Sequence, residues 1–304
     1  MQDAPAEPHE LLPVAIMAGF FVLIPGIGLL LTSLFAQQGL QAFSNTADPF
    51  NLVIIFAIIL GMTLVILLIA RFWKKQVIHA IILFAVGYTT VYVLLPILAF
   101  LPDLVPVFLA VLIAIGIVIA LWKYPEWYVI DLSGILVGAG AIAIFGISLS
   151  IFLVILLLIG LAIYDAISVY KTKHMIDLAD TVMDLKLPVL LVVPKITGYS
   201  LINETKRLKE QIAEGTKRDA FFMGLGDVVM PGILIAAVFF STQDLLVTLS
   251  VMLGTIIGFS ILMLFVIKGK PQAGLPLLNT GAILGYVISS LALHGSLIGL
   301  RISF

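Results

Sequence analysis

Long apolar blocks, separated by short polar stretches, fill most of the chain. Each block is about 20 residues long, the length that a helix needs to cross a hydrocarbon core about 30 Å thick. Ten-residue segments of alternating polar and apolar residues, which a membrane barrel requires, do not occur in the sequence. The pattern therefore predicts an all-α integral membrane protein with nine transmembrane helices in blocks 13–35, 51–72, 77–100, 104–122, 128–147, 148–170, 220–240, 245–267 and 276–298. Blocks five and six join without a strong polar break, so we expect a tight turn near residue 148.

A single long polar segment divides the blocks into two groups. We expect helices one to six in residues 1–170, a hydrophilic insertion in 171–219, and helices seven to nine in 220–304. Within the insertion, the β-branched stretch from Leu187 to Lys195 is bracketed by prolines, which is typical of a short exposed strand. Residues 201–212 have the pattern of an amphipathic helix at the membrane surface, or of a partly disordered connector.

The composition is that of a membrane protein, and it limits the kinds of catalytic and metal site that the chain can form. Of 304 residues, 62% are hydrophobic and 11% charged, and the mean hydropathy is +1.23; a soluble domain carries about 25% charged residues. With no cysteine, disulfides, thiol nucleophiles and cysteine-based metal sites are excluded. The four histidines are scattered, without the spacing of a metal site. We expect no metal, no cofactor and no nucleic-acid partner.

The basic residues indicate an orientation. With nine crossings, 15 of the 16 Lys and Arg residues fall on the face that holds the N-terminus, and only Arg301 falls on the other. Without the nine in the long insertion, which count little for orientation, the ratio is still 6 to 1. The sequence predicts a cytoplasmic N-terminus and insertion, and a C-terminus outside.

Two aspartates, Asp165 and Asp227, lie well inside apolar blocks, whereas we assign the other acids to loops or helix ends. A charged side chain within a membrane helix costs about 2.5–3.5 kcal/mol on insertion scales, so its presence needs a reason. Counted from Lys171 and Asp219 at 1.5 Å per residue, the two aspartates are roughly 9 and 12 Å beneath the same face. Because their helices are consecutive and antiparallel, we expect the two carboxyl groups to be neighbours.

The surroundings of both aspartates favour an open site. Ala162 lies one turn from Asp165, and Gly224 one turn before Asp227, so each acid is on a face of small residues where helices can approach closely. Pro231 has no N–H for the carbonyl of Asp227, which loosens the helix there. A loosened backbone inside a membrane is tolerated where it lines a cavity or finds another partner.

Position alone leaves three explanations for the pair. The aspartates could join helices through hydrogen bonds, line an ion channel or proton-coupled transporter, or hydrolyse peptide bonds. Two neighbouring carboxyl groups do not both ionise easily, so the pair would hold one proton and offer one acid and one base. The base would draw a proton from water while the acid donates to the scissile carbonyl, without a metal or covalent intermediate.

Peptide hydrolysis in a membrane also requires that the substrate helix unwind, because its own hydrogen bonds shield the peptide bond. An exposed strand could pair with the unwound segment, and Leu187 to Val193 is our candidate from the sequence. Deleting this stretch should then abolish cleavage and leave the bundle folded.

Two short motifs resemble those of the presenilin and signal peptide peptidase family. They are Tyr164-Asp165 in one block and Gly224-Leu225-Gly226-Asp227 in the next, with the two aspartates 62 positions apart. The run continues as Val-Val-Met-Pro-Gly232, and the nine predicted helices and the insertion between the motifs also fit. The prepilin peptidase group shares a Gly-x-Gly-Asp motif but usually has a basic residue two positions after the aspartate, where this chain has Val229.

A third stretch is similar to the family's Pro-Ala-Leu motif at the start of the ninth helix. Leu275 matches, Ala273 and Gly274 replace the first two residues, and Pro276 resembles the proline that follows the motif in presenilins. The resemblance implies a microbial homologue that is an intramembrane aspartyl protease, with Asp165 and Asp227 as its catalytic pair. It also implies that residues of the three motifs shape the substrate site, namely Tyr164, Gly224, Leu225, Gly226, Ala273, Gly274, Leu275 and Pro276.

The resemblance further implies the partners. Substrates would be transmembrane helices of other proteins in the lipid bilayer, and by analogy with presenilin those with the N-terminus outside. A homo-oligomer is compatible with the sequence. The alternative function is an ion channel or proton-coupled transporter that uses the same buried acids.

Overall fold

The structure is a computed structural model that describes residues 8–72, 75–172, 189–202, 219–267 and 272–300. Within these ranges the chain folds into nine helices and one small sheet, which confirms the predicted all-α membrane class. The helices are α1 Pro8–Gln37, α2 Phe50–Phe72, α3 Lys75–Leu98, α4 Val105–Lys123, α5 Trp127–Ser148, α6 Ile151–Ile167, α7 Leu225–Thr242, α8 Leu245–Ile267 and α9 Gly274–His294. Eight are long and apolar enough to cross a membrane, and α2 is apolar over Phe50–Val65.

Local sequence signals set the ends of the helices. The tight turn expected between blocks five and six is present: Leu149 is extended, and the Ser150 hydroxyl caps α6 by accepting the Leu153 N–H at 3.4 Å. Helices α7 and α9 each end with a residue in the left-handed conformation, Gln243 at φ 54° and Gly295 at φ 67°. A π-helical turn over Ser168–Thr172 extends α6.

Two short strands lie between α6 and α7 along the chain. Strand β1 (Leu190–Pro194) pairs antiparallel with β2 (Ala220–Gly224), in a register that sets Leu190 opposite Gly224 and Pro194 opposite Ala220. The prediction that the seventh helix begins near residue 220 is therefore wrong: residues 220–224 form a strand, and the helix begins at Leu225. Ala-Phe-Phe-Met is as apolar as the helix that follows, so hydropathy does not separate them.

The strand predicted within Leu187–Lys195 is confirmed as β1, but the expectation that it is exposed is wrong. Leu191, Val192 and Val193 are at most 2% exposed, because the strand packs between β2 and α5. Leu187, Pro188 and most of the predicted amphipathic helix 201–212 lie outside the described residues.

Helices α5 and α7 form the centre of the bundle. A side chain added at Gly146 of α5 would clash with Ala236 of α7, so the two backbones approach closely there. Helices α8 and α9 are closer still: a Cβ at Gly254 would clash with the carbonyl oxygen of Gly281, and a Cβ at Gly281 with that of Gly254. This packing fixes the start of α9, and with it the residues around Leu275.

Candidate active site

The two intramembrane aspartates lie at facing ends of consecutive helices. Asp165 is two residues before the end of α6 and is 6% exposed, and Asp227 is half-buried in the first turn of α7. The two carboxylates are near enough to repel each other when both are ionised. The two aspartates are therefore neighbours, as expected. The predicted depth of Asp227 is wrong, because it assumed 1.5 Å per residue of helix from Asp219, whereas residues 220–224 form a strand.

The first turn of α9 contacts both aspartates. The Leu275 N–H donates to Oδ2 of Asp165 at 3.1 Å, and the Gly274 N–H is a second donor to the same carboxylate. A Cβ at Gly274 would lie 3.3 Å from Oδ2 of Asp227. N–H groups in the first turn of a helix have no partner within that helix, so they are available to a carboxylate. Leu275 therefore acts at this site through its backbone.

The junction between β2 and α7 positions Asp227. Gly224 ends the strand in an extended conformation, with φ −62° and ψ 133°, and a Cβ on it would lie 3.4 Å from Oδ2 of Asp227. Leu225 is buried against α5, where a Cβ at Gly138 would be 3.1 Å from its Cδ1. Gly226 differs from both, because a Cβ there would meet no atom within 4 Å. In the Gly-Leu-Gly-Asp motif, Leu225 is thus buried against α5 and Gly224 lies against the Asp227 carboxylate. Gly226 leaves open space beside them.

The remaining motif residues lie around this centre. Tyr164 is 50% exposed next to the buried Asp165, and Ala273 is 2% exposed immediately before α9. Pro276 is half-buried in the first turn of α9, where its missing N–H leaves no helical bond unmade.

Asn279 joins the two helices that meet at Asp165. Its side-chain Nδ2 donates to the carbonyl oxygen of Leu158 at 2.9 Å, and Asn279 is 1% exposed. Leu158 is two turns before Asp165 on α6, and Asn279 is about one turn after Leu275 on α9. The bond therefore fixes α6 against α9 next to the site. Sequence reasoning missed Asn279, although a polar amide inside an apolar block was a usable signal.

A third buried acid, Asp131, was also missed. It lies in α5 and is 6% exposed, and its Oδ1 accepts the N–H of Val192 in β1 at 2.8 Å. The expectation that only two acids are inside apolar blocks is therefore wrong. Asp131 was missed because it is only the fifth residue of α5, where an acid is also expected if the end of the helix lies at the membrane surface.

The alternating hydrogen bonds between β1 and β2 show which backbone groups point away from the partner strand. The Leu225 N–H donates to the Val189 carbonyl, and the Lys195 N–H donates to the carbonyl of Asp219. Every second residue of an antiparallel pair bonds across the ladder, so the backbone of Val192 and that of Phe222 opposite point outward. Asp131 takes the outward N–H of Val192, whereas the backbone of Phe222 has no such partner among the described residues.

No group of three or more His, Asp or Glu side chains in the described residues has the arrangement of a metal site.

Comparison with known proteins finds similar proteins over nearly the whole length of the chain. The family described as signal-peptide peptidase, presenilin aspartyl protease matches residues 18–294. A solved structure of a presenilin family intramembrane aspartate protease in the C222 space group is 32% identical, with a TM-score of 0.67 over 92% of this chain and 98% of that chain. One in the P2 space group is 36% identical, with a TM-score of 0.66 over 91% and 96%. None of the curated proteins compared with the chain matches it.

Proposed function

The chain belongs to the signal-peptide peptidase and presenilin family and is an intramembrane aspartyl endopeptidase, and on that premise we propose that Asp165 and Asp227 are its catalytic pair. The observation that carries the proposal is the contact of α9 with both acids: Leu275 donates to Asp165, and Gly274 lies against Asp227. A single helix start thereby holds two repelling carboxyl groups near each other.

In this mechanism the pair holds one proton and a water. The ionised carboxylate removes a proton from the water, which attacks the scissile carbonyl, and the protonated carboxyl group donates a hydrogen bond to the carbonyl oxygen. The proton taken from water then passes to the nitrogen of the scissile bond as the C–N bond breaks, which releases the amine and leaves the pair with one proton again. The N–H groups of Gly274 and Leu275 keep the Asp165 carboxylate oriented throughout.

The unwound substrate segment would pair with β2, and not with β1 as the sequence suggested. This revision is supported by the outward backbone of Phe222 and by the position of β1 between β2 and α5. Strand β2 continues directly into α7, so a segment paired along it would run towards Asp227. The motif residues Tyr164, Gly226 and Pro276 would then shape the space around the scissile bond.

The experiment is cleavage of a transmembrane peptide by purified protein in liposomes. Asp165→Asn and Asp227→Asn should each reduce the rate roughly 10²- to 10⁴-fold, because each removes a group that transfers a proton. Asp244→Asn is the matched control: this aspartate lies beyond the far end of α7, and its loss should leave the rate unchanged.

Two results would contradict the proposal. One is substantial cleavage by a folded Asp165→Asn or Asp227→Asn variant. The other is a folded wild-type protein that cuts nothing between pH 5 and 8 but conducts ions in a manner that depends on the same aspartates, which would favour the transport function.

The proposed orientation has a cytoplasmic N-terminus and insertion, with substrates presented from the bilayer. It is supported by the 15 of 16 basic residues that share the N-terminal face. Because the chain has no cysteine, single cysteines can report on it directly. A membrane-impermeant maleimide added to intact cells should label a cysteine at the exposed Gln38, between α1 and α2, but not one at the exposed Thr197, after β1. The reverse pattern would overturn the orientation.

A further inference from the structure

A buried carboxylate outside the aspartate pair has no part in the proposed reaction. Asp131 of α5 is 6% exposed, and its Oδ1 accepts the Val192 N–H at 2.8 Å. An acid within an apolar helix is costly, so it is retained where it satisfies a particular partner or supports function. Here the partner is a backbone N–H of β1, which would otherwise be buried without a hydrogen bond.

The surface of α5 around Asp131 fits the strand. Gly134 is three residues after Asp131 and so lies on the same side of the helix. A Cβ at Gly134 would lie 3.5 Å from Cδ2 of Leu191, an ordinary van der Waals distance, so Leu191 packs directly over this position of α5. The hydrogen bond and the packing contact thus involve adjacent residues of β1, Val192 and Leu191.

A second carboxylate of α5 holds the segment that follows β1. Glu126, the cap residue before α5, accepts the Leu201 N–H at 3.0 Å with one oxygen and the Ser200 hydroxyl at 2.6 Å with the other. The segment is thus bound to α5 at two points, with Asp131 within the strand and Glu126 beyond it.

The position of β1 is transmitted to the aspartate pair through β2. Leu190 pairs with Gly224, and the Leu225 N–H donates to the Val189 carbonyl, so β1 is bonded to the residues that begin α7. Asp227 follows two residues after Leu225. A shift of β1 along or away from α5 would therefore move both the outer edge of β2 and the start of α7.

We propose that Asp131 is a positioning residue that docks strand β1 on α5, and so holds β2 at the height where a paired substrate presents one peptide bond to Asp165 and Asp227. The inference rests on the proposed function. It assigns to Asp131 a role in the choice and alignment of the cut bond, and no proton transfer.

The test uses substitutions that keep or remove the hydrogen-bond acceptor. Asp131→Asn retains an oxygen for the Val192 N–H, whereas Asp131→Leu and Asp131→Ala do not. Ser133→Ala is the matched control, because Ser133 is buried two residues away and its hydroxyl donates only to the α5 carbonyls of Val129 and Ile130. Each full-length variant is assayed in liposomes with a transmembrane peptide, and products are mapped by mass spectrometry.

We expect Asp131→Leu and Asp131→Ala to lower kcat roughly 10- to 100-fold, as small misplacements of reacting groups do, with KM changed less than about twofold. Their cuts should spread over neighbouring peptide bonds. Asp131→Asn should restore a single main cut and most of kcat, and Ser133→Ala should match wild type. Amide hydrogen exchange should accelerate in residues 189–194 of Asp131→Leu but not in α8.

Several results would overturn the proposal. They are unchanged kcat and cut position in Asp131→Leu, loss of activity in a folded Asp131→Asn equal to that in Asp131→Leu, or failure of both acceptor-less variants to fold, which would make the role one of stability. Hydrogen exchange separates this inference from the proposed function. If wild type cleaves nothing, the catalytic proposal fails, while faster exchange at 189–194 would still show that Asp131 docks the strand.

Discussion

Helices α4 and α5 are neighbours in the chain and similar in length, but they differ in composition and burial. Apart from its terminal Lys123, α4 consists of apolar residues with one glycine, and only 22% of its membrane window is buried. Helix α5 contains four glycines, two serines and Asp131, and 61% of its window is buried. The helix with more polar and small residues is thus the one inside.

The difference follows from the solvent. Lipid tails are as apolar as leucine, so an apolar surface gains little when it leaves lipid for the protein interior. Small residues instead gain from close backbone contact, and polar side chains gain partners that lipid does not offer. Burial in this bundle therefore follows close packing and hydrogen bonding, and the catalytic proposal concerns its closely packed part.

The largest effect should come from one substitution made on both helices. Gly146→Ala in α5 places a methyl group against Ala236 of α7, where it would clash, so we expect a loss of about 1–3 kcal/mol in the free energy of unfolding. Gly116→Ala in α4 meets no atom within 4 Å and should be neutral or slightly stabilising, by up to about 1 kcal/mol.

Thermal unfolding in one detergent, monitored by circular dichroism, measures both variants against wild type. Equal stability changes at Gly146 and Gly116 would remove the contrast between the two helices.

The next effect should come from the amide between α6 and α9. Asn279→Leu keeps a similar volume but loses the bond to the Leu158 carbonyl, and hydrogen bonds between membrane helices contribute about 0.6 kcal/mol on average and 1–2 in model peptides. We expect that loss of stability together with slower cleavage, because the bond aligns Leu275 with Asp165. Asn279→Gln is the comparison, since it keeps the amide on a longer side chain. Wild-type cleavage by Asn279→Leu would show that the bond is dispensable.

A smaller effect on stability, but a clear one on activity, is expected at Gly226. A Cβ there meets no atom within 4 Å, so the free energy of unfolding of Gly226→Ala should differ from that of wild type by no more than about 1 kcal/mol. If the open space receives the substrate, the added methyl group should raise KM for the peptide. The measurement is steady-state cleavage at several peptide concentrations in liposomes. Unchanged kinetics would remove Gly226 from the proposed substrate site.

The smallest effect is expected at the far ends of α7 and α9, where Asp244 and His294 are among the polar and apolar residues that line a cavity of about 710 Å³. The pKa of Asp244 is lowered from 3.8, first by the Val247 N–H and then by His294, whose Nε2 is 2.7 Å from its Oδ2. A lowered native pKa stabilises the fold above the unfolded pKa, and this stabilisation is lost as pH falls through the native value.

Asp244→Asn should therefore lower Tm slightly at pH 5 and 7, and the difference from wild type should shrink below about pH 4. Asp103→Asn, in the turn between α3 and α4, controls for loss of one negative charge. A Tm difference for Asp244→Asn that is the same at pH 7 and pH 3 would contradict the prediction.

The sequence allowed prediction of the helices, the motif residues and the neighbourhood of Asp165 and Asp227. Apolar blocks of membrane-spanning length, and charged residues within them, can be read directly from the sequence. It did not reveal β2, because Ala220 to Met223 are apolar in either conformation. Nor did it reveal how Leu275 contacts Asp165, since the donor is a backbone N–H that every residue except proline carries. Asp131 was missed because its distance from the end of α5 fits the membrane surface equally well. The assignment of the catalytic pair itself stays a prediction.

The close contact of α8 and α9 also bears on how this enzyme could be redesigned. Gly254, Gly258, Gly281 and Gly285 each approach the backbone of the opposite helix so closely that an added Cβ would clash. A directed-evolution library should therefore leave these four positions fixed, since even alanine would push α9 away from α8 and carry the Leu275 N–H with it. Diversity is better placed at Gly226 and Tyr164, where the structure leaves room for new side chains to meet new substrates.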